Sequence, residues 1–417
     1  MIELGLGRIA RLLQGTPLSW RAIHVAGTNG KGSVCAYASA MLSAAKIKCG
    51  RFTSPHLIDR WDCITIDEKT VDKSLFRKVE AEMVAKDKLE DIRASEFELL
   101  TATAFEIFAK ERVEIGVVEV GMGGRFDATN IIKDPFVTVV TKVGLDHQAF
   151  LGNTLRDIAH QKAGIIKHGL PCIVDGTNTP EVIEVLKASA KHVGAMDLIR
   201  VPQDTRQEHS PLWASLRKER FEKHQQTNIN LAFEAVNRVV AQLRPSVEPQ
   251  HLLHTLRDME WPGRLQNLSI ANVTGREENI LLDGAHNVQS VEVLHSYVDR
   301  KMRKERLPVT WIVAFSKGKN VQQMLSTMVR SHDNVITVQF GAVDGMPWVQ
   351  AAGADEILAA ARSLGVQGKI HNVSNKIETA LRLATEISMG GSLVVAGSLY
   401  LVSDVLRLLR SYAKDIN

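Results

Sequence analysis

Ile23-His24-Val25-Ala26-Gly27-Thr28-Asn29-Gly30-Lys31-Gly32-Ser33 runs from a β-branched, apolar stretch into a glycine-rich turn holding one lysine. An Ala/Ser/Met-rich helical pattern follows. A phosphate-binding loop needs this order. Glycines let the turn tighten, backbone N–H groups point inward at phosphate oxygens, and the next helix presents its positive N-terminal end. Lys31 is placed to reach the β/γ-phosphates of a nucleotide, with the Ser33 hydroxyl near Mg²⁺. The loop departs from the strict G-x-x-x-x-G-K-[ST] spacing, because Val25 stands where the first glycine belongs and Gly32 follows the lysine.

The chain's 417 residues exceed one ordinary core, so two domains are expected. The composition, 45% hydrophobic and 24% charged, is that of a globular enzyme. A net charge of +4 with no long basic run gives no sign of nucleic acid as a partner. No apolar run approaches the roughly 20 residues that span a bilayer. Cys35, Cys49, Cys63 and Cys172 show no C-x-x-C spacing, so neither zinc nor a disulfide framework is suggested. Reduced, buried thiols fit an intracellular protein, and Met1–Gln14, an amphipathic pattern with Arg8, Arg11 and Glu3, lacks the serines of a transit peptide. The expectation is cytoplasmic, with a mitochondrial pool left open.

Apolar β runs alternate with helical periodicity, which predicts α/β layering around largely parallel sheets. The first series has strand candidates Ile23–Ala26, Ile115–Val120, Phe136–Val140 and Pro171–Val174, with Phe97, Leu100, Ala104, Phe105 and Phe108 at helical spacing before the second. A second series holds Ile280–Leu282, Trp311–Phe315, Val335–Val338, Lys369–His371 and Leu393–Ala396, with a helix over Lys376–Met389. Between the two, Met259-Glu260-Trp261-Pro262-Gly263-Arg264 reads as a hinge, since Pro and Gly stop a helix there. Pro202–Arg220 is polar and aperiodic and reads as a surface loop.

A second chemical feature is Val118-Glu119-Val120-Gly121-Met122-Gly123-Gly124-Arg125-Phe126-Asp127-Ala128-Thr129-Asn130. A carboxylate near the end of a buried strand, followed by a glycine turn, stands where open α/β sheets place their ligands. Glu119 suits Mg²⁺, a hard cation that takes oxygen donors. The run is not a dinucleotide fingerprint, because Phe126 replaces the third glycine; Gly5-Leu6-Gly7 with Ala10 has no strand before it. His147, in Leu145-Asp146-His147 past another β run, is a metal ligand, a general base or simply a satisfied surface group. Lys162, among small and apolar residues, reads by itself as an ordinary helical lysine.

Gly27–Ser33, Ser54-Pro55-His56-Leu57, Glu119–Asn130, Leu145-Asp146-His147, Lys162-Ala163-Gly164, Trp261-Pro262-Gly263-Arg264 and Asp283-Gly284-Ala285-His286-Asn287 occur in one order across nearly the whole chain. In this the chain resembles the folylpolyglutamate synthase/dihydrofolate synthase family, relatives of the Mur amide ligases. Asp59–Ile64 and Gly345-Met346-Pro347-Trp348 are most similar to the fungal dihydrofolate synthases. The resemblance implies an N-terminal P-loop ATPase-like parallel-sheet domain over 1–262, binding ATP, Mg²⁺ and pterin. It also implies a smaller, Rossmann-like α/β glutamate ligase domain over 263–417.

The resemblance further assigns roles residue by residue. Gly27, Thr28, Asn29, Gly30, Lys31, Gly32 and Ser33 hold the ATP phosphates. Ser54, Glu119 and His147 ligate Mg²⁺, and Lys162 is carbamylated, becoming an anion that supports the metal. Asn228, Arg264 and Asp283 contact ATP, while His286 and Asn287 lie near the incoming amino acid or the γ-phosphate, His286 as candidate base. Gly5, Leu6, Gly7, Arg8, Phe97, Glu98, Phe126, Asp127 and Ala128 meet the pterin. Arg93-Ala94-Ser95-Glu96 departs from the bacterial pattern beside those contacts.

The implied reaction is ATP-dependent joining of L-glutamate to dihydropteroate through an acyl phosphate, by a monomer, with motion about Pro262-Gly263 closing the site to water. K⁺ is a further cation the resemblance leaves open. Two other readings stand beside this one. The same chemistry on a folate already carrying glutamate gives polyglutamate tails, alone or in a bifunctional enzyme. An ATP-driven switch or binding module explains the phosphate loop but leaves Arg264 and Asp283–Asn287 without a purpose.

Overall fold

The β-branched runs form the strands of two sheets in the computed structural model, which describes residues 5–202, 221–257, 259–304 and 307–414. The described residues of 1–56 and 61–259 make one compact unit, and those of 57–60 and 260–417 a second. Residues 57–60, expected in the first domain, therefore pack with the second. They do so because Arg410 forks onto the Asp59 carboxylate (2.5 and 3.2 Å) and Arg407 donates to the Ile58 carbonyl at 3.1 Å.

The first unit's strands are β1 (Arg21–Ala26), β2 (Cys49–Phe52), β3 (Ile64–Ile66), β4 (Lys69–Thr70), β5 (Ile115–Glu119), β6 (Val137–Val140), β7 (Pro171–Asp175) and β8 (Asp197–Val201). They lie in the order β4-β3-β2-β5-β1-β6-β7-β8. The run from β2 to β8 is parallel, and β3 and β4 add an antiparallel edge. Side chains alternate across β1. Ile23 and Val25 join the core formed with helices Lys31–Ala44 and Lys223–Leu243, while Ala22 joins the opposite one, built on Phe52, Phe76, Phe105 and Phe108. Phe105 and Phe108 of Glu96–Lys110 are thus core residues, stacked with one another and edge-on to Trp20, while Phe97 is partly buried and stacks on Phe52.

The second unit holds β9 (Gln266–Leu268), β10 (Ile280–Leu282), β11 (Thr310–Val313), β12 (Asn334–Val338), β13 (Ile370–Ser374) and β14 (Leu393–Ala396). Their order is β13-β12-β11-β14-β10-β9, parallel except for β9. This is the expected α/β class with two largely parallel sheets. Strands expected from β-branched runs lie within two or three residues of those observed, and the helix over Lys376–Met389 spans Ile377–Ser388. Gly7–Leu12 is helical within the N-terminal amphipathic stretch. The loop expected over Pro202–Arg220 lies, past Pro202, outside the described residues. All four cysteines are buried, and none is in a disulfide.

Candidate active site

The strand order β2-β5-β1-β6 brings four carboxyl-terminal ends side by side. Ser54, Glu119, the loop Gly27–Ser33 and the segment Thr141–His147 each follow one of them, at the edge where doubly wound sheets bind ligands. The loop is pinned by the segment after β6. The amides of Thr28 and Asn29 both donate to the Lys142 carbonyl (2.8 and 3.1 Å), and Thr141 Oγ1 donates to the Asn29 carbonyl at 2.8 Å. Thr28 Oγ1 donates to the Gly144 carbonyl and accepts its N–H, each at 3.0 Å. Gly30 caps the helix Lys31–Ala44 at φ +94°, a left-handed conformation that favours glycine. A Cβ there would stand 2.4 Å from Asn228 Oδ1, so Asn228 faces the loop.

Lys31 Nζ donates to the Thr28 carbonyl at 3.2 Å and lies 3.7 Å from Glu119 Oε1; both side chains are largely buried. Glu119 Oε2 accepts the Ser54 backbone N–H at 3.2 Å. The loop lysine, the strand-end carboxylate and Ser54 are therefore one group. A carboxylate and a hydroxyl-bearing residue suit a hard divalent cation. Among the described residues no three His, Cys, Asp or Glu side chains gather to cage a metal. His147 begins the short helix Gln148–Leu151 at φ +53°, and its amide donates to Asp146 Oδ1 at 2.8 Å.

Lys162 is buried, although its local sequence reads as a solvated helical lysine. Its helix, Leu155–Ala163, buries Ile158, Ala159 and Ala163, and Lys162 on the same face donates to the Gly27 carbonyl at 2.7 Å. Burial, with the neighbouring Lys31 charge next, draws its amine pKa down to about 7, against the pull of Asp146 and Asp127.

The glycine turn after β5 packs on the end of the same helix. Arg125 N–H donates to the Gln161 carbonyl at 2.8 Å, and a Cβ on Gly124 would meet the Gln161 and Lys162 carbonyls at 2.8 and 3.0 Å. Asp127 closes the turn, accepting from Met122 N (2.8 Å), Thr129 N (3.0 Å) and Thr129 Oγ1 (2.5 Å). Burial outweighs those bonds and raises its pKa. Phe126 is exposed beside it, and Ala128 is buried. The Phe97 ring covers Gly121, where a Cβ would meet it at 2.4 Å. Glu98 is held by structural bonds. It completes the capping box of its helix with Ser95 and accepts from Arg8 Nε at 2.9 Å. This pair fixes Gly5–Arg8 to the helix that carries Phe97.

In the second unit the expected residues form a group of their own. Asp283 accepts Leu265 N–H and Ala285 N–H, each at 2.8 Å. Burial raises its pKa against the opposing charge of Arg264. A Cβ on Gly284 would meet Arg264 Nη1 at 2.3 Å. His286 Nδ1 donates to the Gly284 carbonyl at 2.8 Å, which leaves Nε2 as the basic nitrogen. Asn287 caps the helix Val288–Lys301 through Ser290.

The sequence reading passed over Thr141 and Lys142 as pins of the loop, and His24 and Thr129 behind the turn. For His24 a signal was visible: a histidine inside an otherwise apolar β run.

Residues 25–227 match the Mur ligase middle domain, and residues 266–408 the C-terminal domain of dihydrofolate synthetase. The chain is 36% identical over 419 aligned positions to a probable dihydrofolate synthetase of Schizosaccharomyces pombe, covering 98% of this chain and 99% of the relative. It is 35% identical over 428 positions to the dihydrofolate synthetase of Saccharomyces cerevisiae, covering 99% and 100%. Among solved structures it is similar to the folylpolyglutamate synthase of Mycobacterium tuberculosis complexed with ADP, with a TM-score of 0.83, 25% identity, and 98% and 95% of the two chains covered.

Proposed function

The chain belongs to the folylpolyglutamate synthase/dihydrofolate synthase family, and from that premise we propose that it joins L-glutamate to 7,8-dihydropteroate at the expense of ATP, forming dihydrofolate. The observation that carries the reading is the convergence of Lys31, Glu119 and Ser54 at the glycine loop. Full-length identity to two fungal dihydrofolate synthetases supports the choice of substrate.

A carboxylate acylates poorly because its leaving group would be oxide. Transfer of the γ-phosphoryl group onto that oxygen gives an acyl phosphate and ADP. The glutamate amine then adds to the carbonyl carbon, and the tetrahedral intermediate expels phosphate to leave the amide. Such chemistry asks the protein mainly for positioning and neutralisation of charge. Gly27–Ser33 and Asn228 hold the nucleotide, and Lys31 neutralises the phosphates. Ser54, Glu119 and His147 would hold a divalent ion, Mg²⁺ in this reading, which would supply charge neutralisation for phosphoryl transfer. Gly5–Arg8, Phe97, Glu98 and Phe126–Ala128 receive the pterin acid. Arg264 and Asp283 contact ATP, and His286, through Nε2, takes the amine proton, with Asn287 beside it.

Lys162 is read as carbamylated. Carbamate forms from the neutral amine, and an amine whose pKa is near 7 is substantially neutral at physiological pH. A cytoplasmic monomer, with a mitochondrial pool and a K⁺ requirement both left open, completes the proposal. Among the described residues no helix is long and apolar enough to cross a membrane.

A second reading is favoured by the similarity to a folylpolyglutamate synthase: glutamate added to tetrahydrofolate. Purified protein assayed with ATP, glutamate and either dihydropteroate or tetrahydrofolate, with and without Mg²⁺ and K⁺, separates them. Turnover with dihydropteroate alone is expected. Turnover with tetrahydrofolate alone replaces the first reading with the second, and turnover with both makes the enzyme bifunctional. ATP hydrolysis indifferent to glutamate and to either acid refutes a ligase.

A further inference from the structure

His24 lies within the apolar run of β1 and is fully buried. Alternation puts it on the face of Ala22, away from Ile23 and Val25. Its Nε2 is 2.9 Å from Thr129 Oγ1, which is 2.5 Å from Asp127 Oδ1. A hydroxyl has one proton, and Asp127 already accepts two backbone N–H groups. The hydroxyl proton therefore goes to Asp127, and His24 must donate from Nε2. The tautomer is thereby assigned: Nδ1 bears no proton, and it has no partner. Burial, reinforced by Lys167, keeps the ring neutral by drawing its pKa down to about 3.

Leucine would fill such a place without a stranded polar atom, so the imidazole is a poor choice for packing alone. What it supplies is a donor aimed at Thr129. The relay ends on the side chain that closes Gly121–Asp127, the turn that meets Phe97 on one side and the Lys162 helix on the other. We propose that His24 is a positioning residue for the acid substrate: its Nε2–H orients the Thr129 hydroxyl, which holds Asp127 and sets the shape of the turn. The proposal rests on the reading that Phe126–Ala128 contact that substrate.

The test uses the full-length chain and the variants His24→Leu, His24→Gln, Thr129→Val, Thr129→Ser and the Leu/Val double. Glutamine keeps a donor near the position of Nε2, and serine keeps the hydroxyl. Hydrogen exchange over residues 121–130 is read first, without substrate. Exchange at the Met122 and Thr129 amides should quicken about tenfold in His24→Leu and Thr129→Val, the scale of one lost hydrogen bond, and recover in His24→Gln and Thr129→Ser. In steady state the KM for dihydropteroate should rise by a similar factor, with the KM for ATP within twofold. The double variant should be no worse than either single one, because both break one relay.

Unchanged exchange, a loss that falls equally on ATP, or losses that multiply in the double variant would each overturn the proposal. Should His24→Leu not fold, the Val/Ser pair at Thr129 decides the same question. If the unmodified protein ligates neither pterin acid, the proposed function fails separately, and exchange alone judges whether His24 holds the turn.

Discussion

Gly27→Ala should damage the first unit by an amount the structure allows to be worked out. A Cβ on Gly27 would stand 1.8 Å from Thr141 Oγ1, 3.0 Å from Thr141 Cβ and 3.2 Å from its backbone nitrogen, at a φ of +152°. Three costs arise. An L-residue at that φ carries about 1–3 kcal/mol of strain. Thr141 must rotate its hydroxyl away, losing the bond to the Asn29 carbonyl that pins the loop, about 1 kcal/mol. Rotation does not move Thr141 Cβ, and a forced contact of that kind costs about 1–3 kcal/mol. The reduced freedom of the unfolded chain returns roughly 0.4–1 kcal/mol. The net loss is about 4 kcal/mol. In a chain with two units, the readout must be local. Hydrogen exchange of the β1 amides in a urea series reports the first unit alone. Thr141→Ala should cost about 1 kcal/mol by itself, and the double variant about 1 kcal/mol less than the two singles together, since the displaced hydroxyl is then absent. A Gly27→Ala protein within about 0.5 kcal/mol of the parent, or strict additivity, would refute the close approach of loop and Thr141.

Other outcomes follow from the same contacts. If Lys31 neutralises the transferring phosphate as proposed, Lys31→Met should lower ADP release at least about 100-fold while the circular dichroism spectrum is kept; a loss under threefold would exclude that role. For Lys162 as the amine, the folded state gives up its proton near pH 7, whereas the unfolded chain holds it to about 10.5. The unfolded state thus binds more protons between those values, so first-unit stability should rise with pH across that window, by up to about 1.4 kcal/mol per unit. Below pH 7 this residue should contribute no slope. The comparison is with Lys162→Met in CO₂-free buffer, and equal slopes would contradict the burial. In the second unit, fully buried Asp333 accepts both Arg303 Nη groups (2.6 and 3.0 Å), Trp311 Nε1 and the amides of Val309 and Arg330. Asp333→Ala should cost that unit about 3–5 kcal/mol, seen as early loss of β11 protection, because Trp311 Nε1 and the Val309 and Arg330 amides lose their acceptor while Arg303 keeps Asp299.

The chain's linear order was enough to determine the class of fold and the position of the glycine-rich loop at the end of β1. β1, β5, β6 and most second-unit strands are runs of Val and Ile that bury both faces, so their composition names them before any partner is known. The same holds for Gly27–Ser33, whose chemistry lies in consecutive backbone groups. β2, β8 and the β3–β4 edge carry Gly, Arg, Asp or Lys and become strands because a neighbour offers its hydrogen bonds. Lys162 reads as solvated until its helix is laid on the glycine turn, when burial draws the amine's pKa down to about 7. Glu98 is pterin-facing by resemblance, yet its oxygens are engaged by Ser95 and by Arg8, which is 90 residues away in the chain. Thr141 pins Asn29 across 112 residues, and His24 reaches Thr129 across 105. Such couplings depend on which strand lies beside which, and a single sequence read residue by residue contains local preference but not adjacency in space.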